Sequence, residues 1–197
     1  MGSLTLAVFL VAFIASLFLV WRGSAWHLAA HLRQKLGSSN GLVAAVVASA
    51  SITAVVAALA GAWAVSQVRG IAIVIPVIAP LLIGAVIRLR APRVKLPQEP
   101  TRSFGAIFLT LSAMQAVDAA RLTILALAAL SRDPWTVAAG GVLGCAAGLM
   151  LAASQRWSLS QAAERNLRLI SASCLLTLAA VIAFYGLAEI VDLLSRS

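Results

Sequence analysis

Six apolar runs, each long enough to cross a bilayer as a helix, take up most of this chain and leave it few alternatives. They cover residues 4–20, 41–66, 71–88, 103–131, 135–153 and 169–190. Hydrophobic residues make up 62% of the sequence, against about 45–50% in soluble domains. A soluble core could not hide that much apolar surface. The sequence therefore predicts an all-α integral membrane protein with six transmembrane helices, whose first partner is the lipid bilayer. Met1-Gly2-Ser3 carries no basic residue, so the first run reads as an uncleaved helix rather than a secretory leader.

The net charge of +9 is explained by position. The basic residues lie mostly between the apolar runs without interleaved aromatics, as the positive-inside rule and anionic headgroups require, and nucleic acid is not expected as a partner. Connections 1–2, 3–4 and 5–6 carry eleven Lys and Arg residues: Arg22, Arg33, Lys35, Arg88, Arg90, Arg93, Lys95, Arg102, Arg156, Arg165 and Arg168. The opposite side carries three, Arg69, Arg132 and Arg196. This bias places both termini outside, and a bacterial inner membrane is the expected host. The proline-rich basic stretch 91–102 is the longest polar connection. It reads as a cytoplasmic linker between a first membrane unit, 1–90, and a second, 103–197.

The fourth run breaks the apolar rule at its centre, where Gln115, Asp118 and Arg121 stand. A charge at mid-bilayer costs roughly 2.5–3.5 kcal/mol on insertion scales, so such residues face a bundle interior or a wet cavity. Read as one continuous helix, Ser112, Gln115, Asp118 and Arg121 form a slowly spiralling polar stripe, and Asp118 and Arg121 can pair along it. Such a pair either holds the bundle together or handles an ion or a proton. Elsewhere, Pro76 and Pro80 are expected to kink the third span. Ala57 with Gly61, and Gly140, Gly144 and Gly148, mark close-packing faces. Trp21, Trp26, Trp135 and Trp157 read as interfacial belt residues. Cys145 and Cys174 are lone, without metal-ligand spacing.

Six spans divided by a linker suggest two three-helix repeats, which an odd number of crossings forces into opposite orientations. Each half opens with a polar-bearing first span. In the first half these residues are Arg22, Ser24 and His27, with His27 a candidate proton carrier. In the second half they are Gln115, Asp118 and Arg121.

The stretch AIFLTLSAMQAVDAARLTILALAAL followed by SRDPWTVAAGGVLGCAAGLMLAAS resembles the Gdt-type cation–proton exchangers. That family is built from two inverted three-helix repeats, each bearing the signature E-x-G-D-[KR]-[ST] followed by Gln and an apolar residue. The second signature falls on Gln115 to Leu122, with Asp118 in place, Gln115 where the family has Glu, and Arg121 where it has Gln. The first falls on Trp21 to Leu28, where Gly23 matches and Ser24 replaces the aspartate. The resemblance implies proton-coupled movement of Mn²⁺ or Ca²⁺, with Asp118 as metal ligand and titratable centre. Gln115, Arg121, Arg22, Ser24 and His27 would complete the site.

Hard divalent cations want several anionic oxygens, whereas this stretch offers one carboxylate beside Arg22 and Arg121. Two further readings therefore stand beside cation transport: a structural or partner-binding membrane subunit, and an exporter of a small carboxylate or amino acid. No phosphate loop, HExxH, G-x-S-x-G or Cys/His cluster is present. No enzymatic activity and no cofactor are expected, and a second copy of the chain is left open as a partner.

Overall fold

In the computed structural model the described residues are 2–21, 23–37, 40–68, 72, 74–90, 103–154 and 161–195, with the side chains of 36, 153 and 186–195 left out of the description. They form eight helices and no strand. These are α1 (Gly2–Val20), α2 (Ser24–Leu36), α3 (Asn40–Ser66), α4 (Ile75–Leu89), α5 (Phe104–Ala116), α6 (Ala119–Ser131), α7 (Pro134–Ser154) and α8 (Gln161–Ser195). Arg22, Arg69, Arg156, Trp157, Arg196 and the linker 91–102 lie outside the described residues.

Four helices are long and apolar enough to cross a membrane: α1, α3, α7 and α8. The bent pair α5 and α6 makes a fifth if it counts as one span. Large apolar side chains face outward along these helices, among them Ile14, Val56, Trp63, Leu109, Leu143 and Phe184. Lipid is the medium in which such a surface is stable. The architecture is that of an all-α membrane protein.

Three expectations need correcting: the straight helix at 103–131, the kink at Pro76 and the interfacial place of Trp26. Residues 103–131 are not one straight helix, because α5 and α6 meet at a 61° bend. Asp118 leaves the helical path there and caps α6, its side chain accepting the Ala119 N–H. The third run forms a helix of only 15 residues, about 22 Å at 1.5 Å per residue and shorter than the ~30 Å hydrocarbon core. Within it Pro76 sits in the first turn, where no backbone donor is missed, and only Pro80 lies inside. Trp26 is buried rather than interfacial, packed against half-buried Trp21 with ring centroids 6.2 Å apart. Trp135 is exposed as a belt residue would be.

The helices pack mainly across the sequence midpoint. α1 lies along α7, α3 along α5 and α6, and α4 along α8. Contacts between neighbouring helices of one half, such as α3 with α4, are sparse. The small residues explain the pairing. A Cβ on Gly140 would stand 2.5 Å from the Phe9 carbonyl oxygen, and one on Gly144 would stand 2.3 Å from that of Phe13. One on Gly61 would stand 2.1 Å from the Leu125 carbonyl oxygen. Only glycine permits backbones this close. Both seams run parallel, since rising residue numbers on one helix meet rising numbers on the other.

The turn between α6 and α7 is held by Asp133, which precedes Pro134 and accepts the Thr136 N–H at 3.2 Å. Hydrogen bonds from the Thr136 side chain and backbone hold its carboxyl below the usual range. A depressed carboxyl stabilises the fold above its unfolded pKa, and that contribution is lost as pH falls through the folded value. Asp133→Ala should lower the melting temperature slightly at neutral pH. The gap to wild type should close on acidification, and a gap that stays constant would disprove the cap's role.

Candidate functional site

The interior is polar at mid-length of α3 and α7. From α3 come Ser49 and Thr53, four residues apart on one face. Each hydroxyl donates back to its own helix, Ser49 to the Val46 carbonyl at 3.0 Å and Thr53 to the Ser49 carbonyl at 2.7 Å. This local bonding leaves their oxygen lone pairs free to accept from other helices. Gln115, fully buried in the last turn of α5, donates from Nε2 to Ser49 Oγ at 2.9 Å. Arg121, 2% exposed, projects from the first turn of α6. Its Nε donates to Thr53 Oγ1 at 2.8 Å, Nη1 to Cys145 Sγ and Nη2 to Gln115 Oε1. One guanidinium thus joins α3, α5, α6 and α7.

Asp118 and Arg121 do not pair directly. The break removes them from a common helical face, and the guanidinium turns toward neutral partners. Asp118 is 3% exposed. Its Oδ1 accepts the Ala119 N–H at 2.8 Å, while Oδ2 has no partner among the described residues. A carboxylate at the start of α6 complements the positive end of that helix.

Across from it lies a second break, between α1 and α2. There Gly23 N–H donates to the Val20 carbonyl at 3.0 Å and the Gly23 carbonyl accepts the His27 N–H at 3.2 Å. A Cβ on Gly23 would stand 3.1 Å from Asp118 Oδ2 and 3.3 Å from the Val20 oxygen. The two breaks therefore meet, one from each half of the sequence.

Arg88 completes the arrangement. It is 4% exposed, not the loop residue its position beside Arg90 implied. Its Nε donates to Ser171 Oγ of α8 at 2.9 Å, and Nη2 to the Trp21 carbonyl at 3.2 Å. A cation here complements the negative end of α1. The described interior thus holds one carboxylate and two guanidinium groups, and no cluster of three metal-ligating side chains occurs among the described residues.

Of the residues singled out from sequence, Gln115, Asp118 and Arg121 are brought together. Ser24 opens α2 directly after Gly23, and His27 follows one turn on, both half-buried. Arg22 lies outside the described residues. Ser49, Thr53, Arg88, Cys145 and Ser171 are the partners that the sequence reading did not assign.

These features define a class: an all-helical membrane protein with a buried polar centre built where the bent α5–α6 pair meets the turn between α1 and α2. Compared with known proteins, the chain matches no family model, no curated protein and no solved structure.

Proposed function

We propose that this protein is a secondary transporter with six spans arranged as two inverted three-helix halves, which carries a small carboxylate or amino-acid solute coupled to protons. The observation that carries the reading is the meeting of the two helix breaks at buried Asp118, with Arg88 and Arg121 beside it. Discontinuous helices facing one another between halves are where secondary transporters bind their cargo.

The packing supports the repeat. The first span of each half lies parallel to the second span of the other, α1 on α7 and α5–α6 on α3, and the third spans, α4 and α8, pair with each other. In both seams the second span supplies the close-approach glycines. Setting buried Arg88 aside, the loop charges still stand ten to three, which favours both termini outside and a bacterial inner membrane.

The charge balance favours one substrate class over another. Mn²⁺ or Ca²⁺ would meet one carboxylate and two guanidinium groups in a low-dielectric interior, where like-charge repulsion is weakly screened. A solute carboxylate would instead meet the guanidinium of Arg88, a planar donor suited to it. Asp118 is then the proton carrier.

The test is flux into proteoliposomes across an imposed pH gradient, run with radiolabelled amino acids, small dicarboxylates and Mn²⁺. Gradient-driven uptake of an organic anion is expected, with a raised KM in Arg88→Ala and loss of coupling in Asp118→Asn. Movement of Mn²⁺ alone would make this a cation exchanger. No flux of any probe by a folded protein would make it a structural or partner-binding subunit.

A further inference from the structure

We infer that a groove between α3, α4 and α6 is the seat of one membrane-lipid acyl chain, held as a resident part of the bundle rather than exchanged freely with the surrounding bilayer. The inference stands on the membrane fold alone and is independent of what the protein carries.

The groove follows from how the helices pack. α3 and α4 are neighbours in sequence yet barely touch, because each lies against α6 instead. Between them opens a space of about 500 Å³. It is walled by Trp63 and Ala64 of α3 and by Ala79 and Ile83 of α4, with Leu122 and Leu125 of α6 between the walls. That size falls within the ~300–1,000 Å³ of small-molecule sites.

Both walls are held in place from outside the groove. α3 is fixed to α6 at the Gly61 seam, where a Cβ would stand 2.1 Å from the Leu125 carbonyl oxygen. α4 packs on α8 and α6 around Gly84, where a Cβ would be in ordinary contact with Leu175 at 3.5 Å and Ala119 at 3.7 Å. Arg88 further ties the end of α4 to Ser171 of α8 and to the Trp21 carbonyl. The groove is therefore preformed, unlike the smooth lipid-facing sides of α5 or α7.

Chemistry selects the occupant. The walls are apolar, so water finds no partners there and a polar solute would lose its hydration without return. Left empty, the lining side chains would forfeit their dispersion contacts on one side. The groove also runs into the lipid-facing surface. Trp63, Ile75 and Ile83 line it and are themselves exposed, continuing the belt that Val56 and Leu82 present to the bilayer. A hydrocarbon chain enters from that belt without crossing water. At the end of α3, exposed Gln67 borders the groove and donates from Nε2 to Ser66 Oγ at 3.1 Å. This polar pair suits the ester end of the lipid. A chain seated against Leu122 also braces α6 one residue from Arg121.

Trp63 and Trp135 are each 67% exposed, and only Trp63 lines the groove. In delipidated full-length protein in detergent, phosphatidylcholine brominated on its acyl chains and added at one per protein should quench Trp63 and leave Trp135 almost unchanged. Each contribution is read as the emission missing from Trp63→Phe or Trp135→Phe. Native mass spectrometry of protein that has not been delipidated should find one phospholipid retained under conditions that strip the detergent. Ala79→Phe and Ala64→Phe fill the groove from opposite walls, and each should lose both signals. Leu109→Phe, on the exposed side of α5, should keep them. Circular dichroism identifies a variant that misfolds, and the Trp63–Trp135 contrast decides without any groove variant. Equal quenching of the two tryptophans, or lipid retention unchanged in a folded Ala79→Phe or Ala64→Phe protein, would overturn the seat. Trp63 shielded from brominated lipid in a protein that sediments as a dimer would give the groove to a second copy and overturn it equally.

Discussion

Arg121→Ala should be among the most damaging single substitutions in the chain, costing roughly 2–5 kcal/mol and leaving little monodisperse protein after detergent extraction. The lower figure takes three lost hydrogen bonds at the ~0.6 kcal/mol average for membrane helices. The upper takes the ~3–5 kcal/mol typical when one partner of a buried charged group is removed. The case leans upward, because Arg121 is one of two cations acting on Asp118, and losing it strands that carboxylate. It also unties α6 from α3, α5 and α7 at once. Arg121→Lys should recover less than half of the loss. A lysine ammonium is a compact charge at the end of a flexible stem and cannot reach Thr53, Gln115 and Cys145 together. Thermal melts of purified protein decide this, and an alanine variant within about 1 kcal/mol of wild type would show that the guanidinium is not the bundle's clamp.

How much of this was legible depends on what each residue competes against. The spans at 4–20, 41–66 and 135–153 agree with α1, α3 and α7 to within two residues, because uninterrupted apolar runs admit no other structure in lipid. The break before Asp118 was harder to see. Propensity and hydropathy treat 103–131 as one run, and the cue was chemical: aspartate is a strong N-cap, and here it caps a new helix in mid-membrane. Arg88 was hidden by its neighbours. Beside Arg90 and Arg93 it reads as loop charge, yet it keeps helical register with buried Val77, Leu81 and Ala85. That register was the available signal for its burial. Ser49 and Thr53 looked like neutral helix residues, since a hydroxyl bonded to its own backbone leaves little trace in composition. The pairing of helices across the midpoint was legible only as glycine spacing, because nothing local says which partner a smooth face will meet.

That spacing carries the second large prediction. Gly144→Leu should abolish the folded protein, and Gly144→Ala should already cost more than the ~1–3 kcal/mol usual for overpacking. The reason is what stands in the way. A Cβ at Gly144 meets the Phe13 carbonyl oxygen at 2.3 Å and the Leu17 nitrogen at 3.0 Å, and backbone cannot rotate aside as a side chain can. α1 must back away from α7 along its length. Gly148 is the built-in control one turn on. There the nearest atom is Val20 Cγ1 at 3.1 Å, which a rotamer change relieves, so Gly148→Ala should be mild. Gly41, with nothing within 4 Å of its Cβ position, should tolerate alanine without loss. Melting temperatures of the four variants test the ranking, and equal effects at Gly144 and Gly148 would reject the close backbone seam. The consequence reaches the site, because α1 ends beside Gly23 and Cys145 follows Gly144 directly. Any partly folded Gly144→Ala protein should show the end of α1 pulled away from α6, and with it Gly23 parted from Asp118.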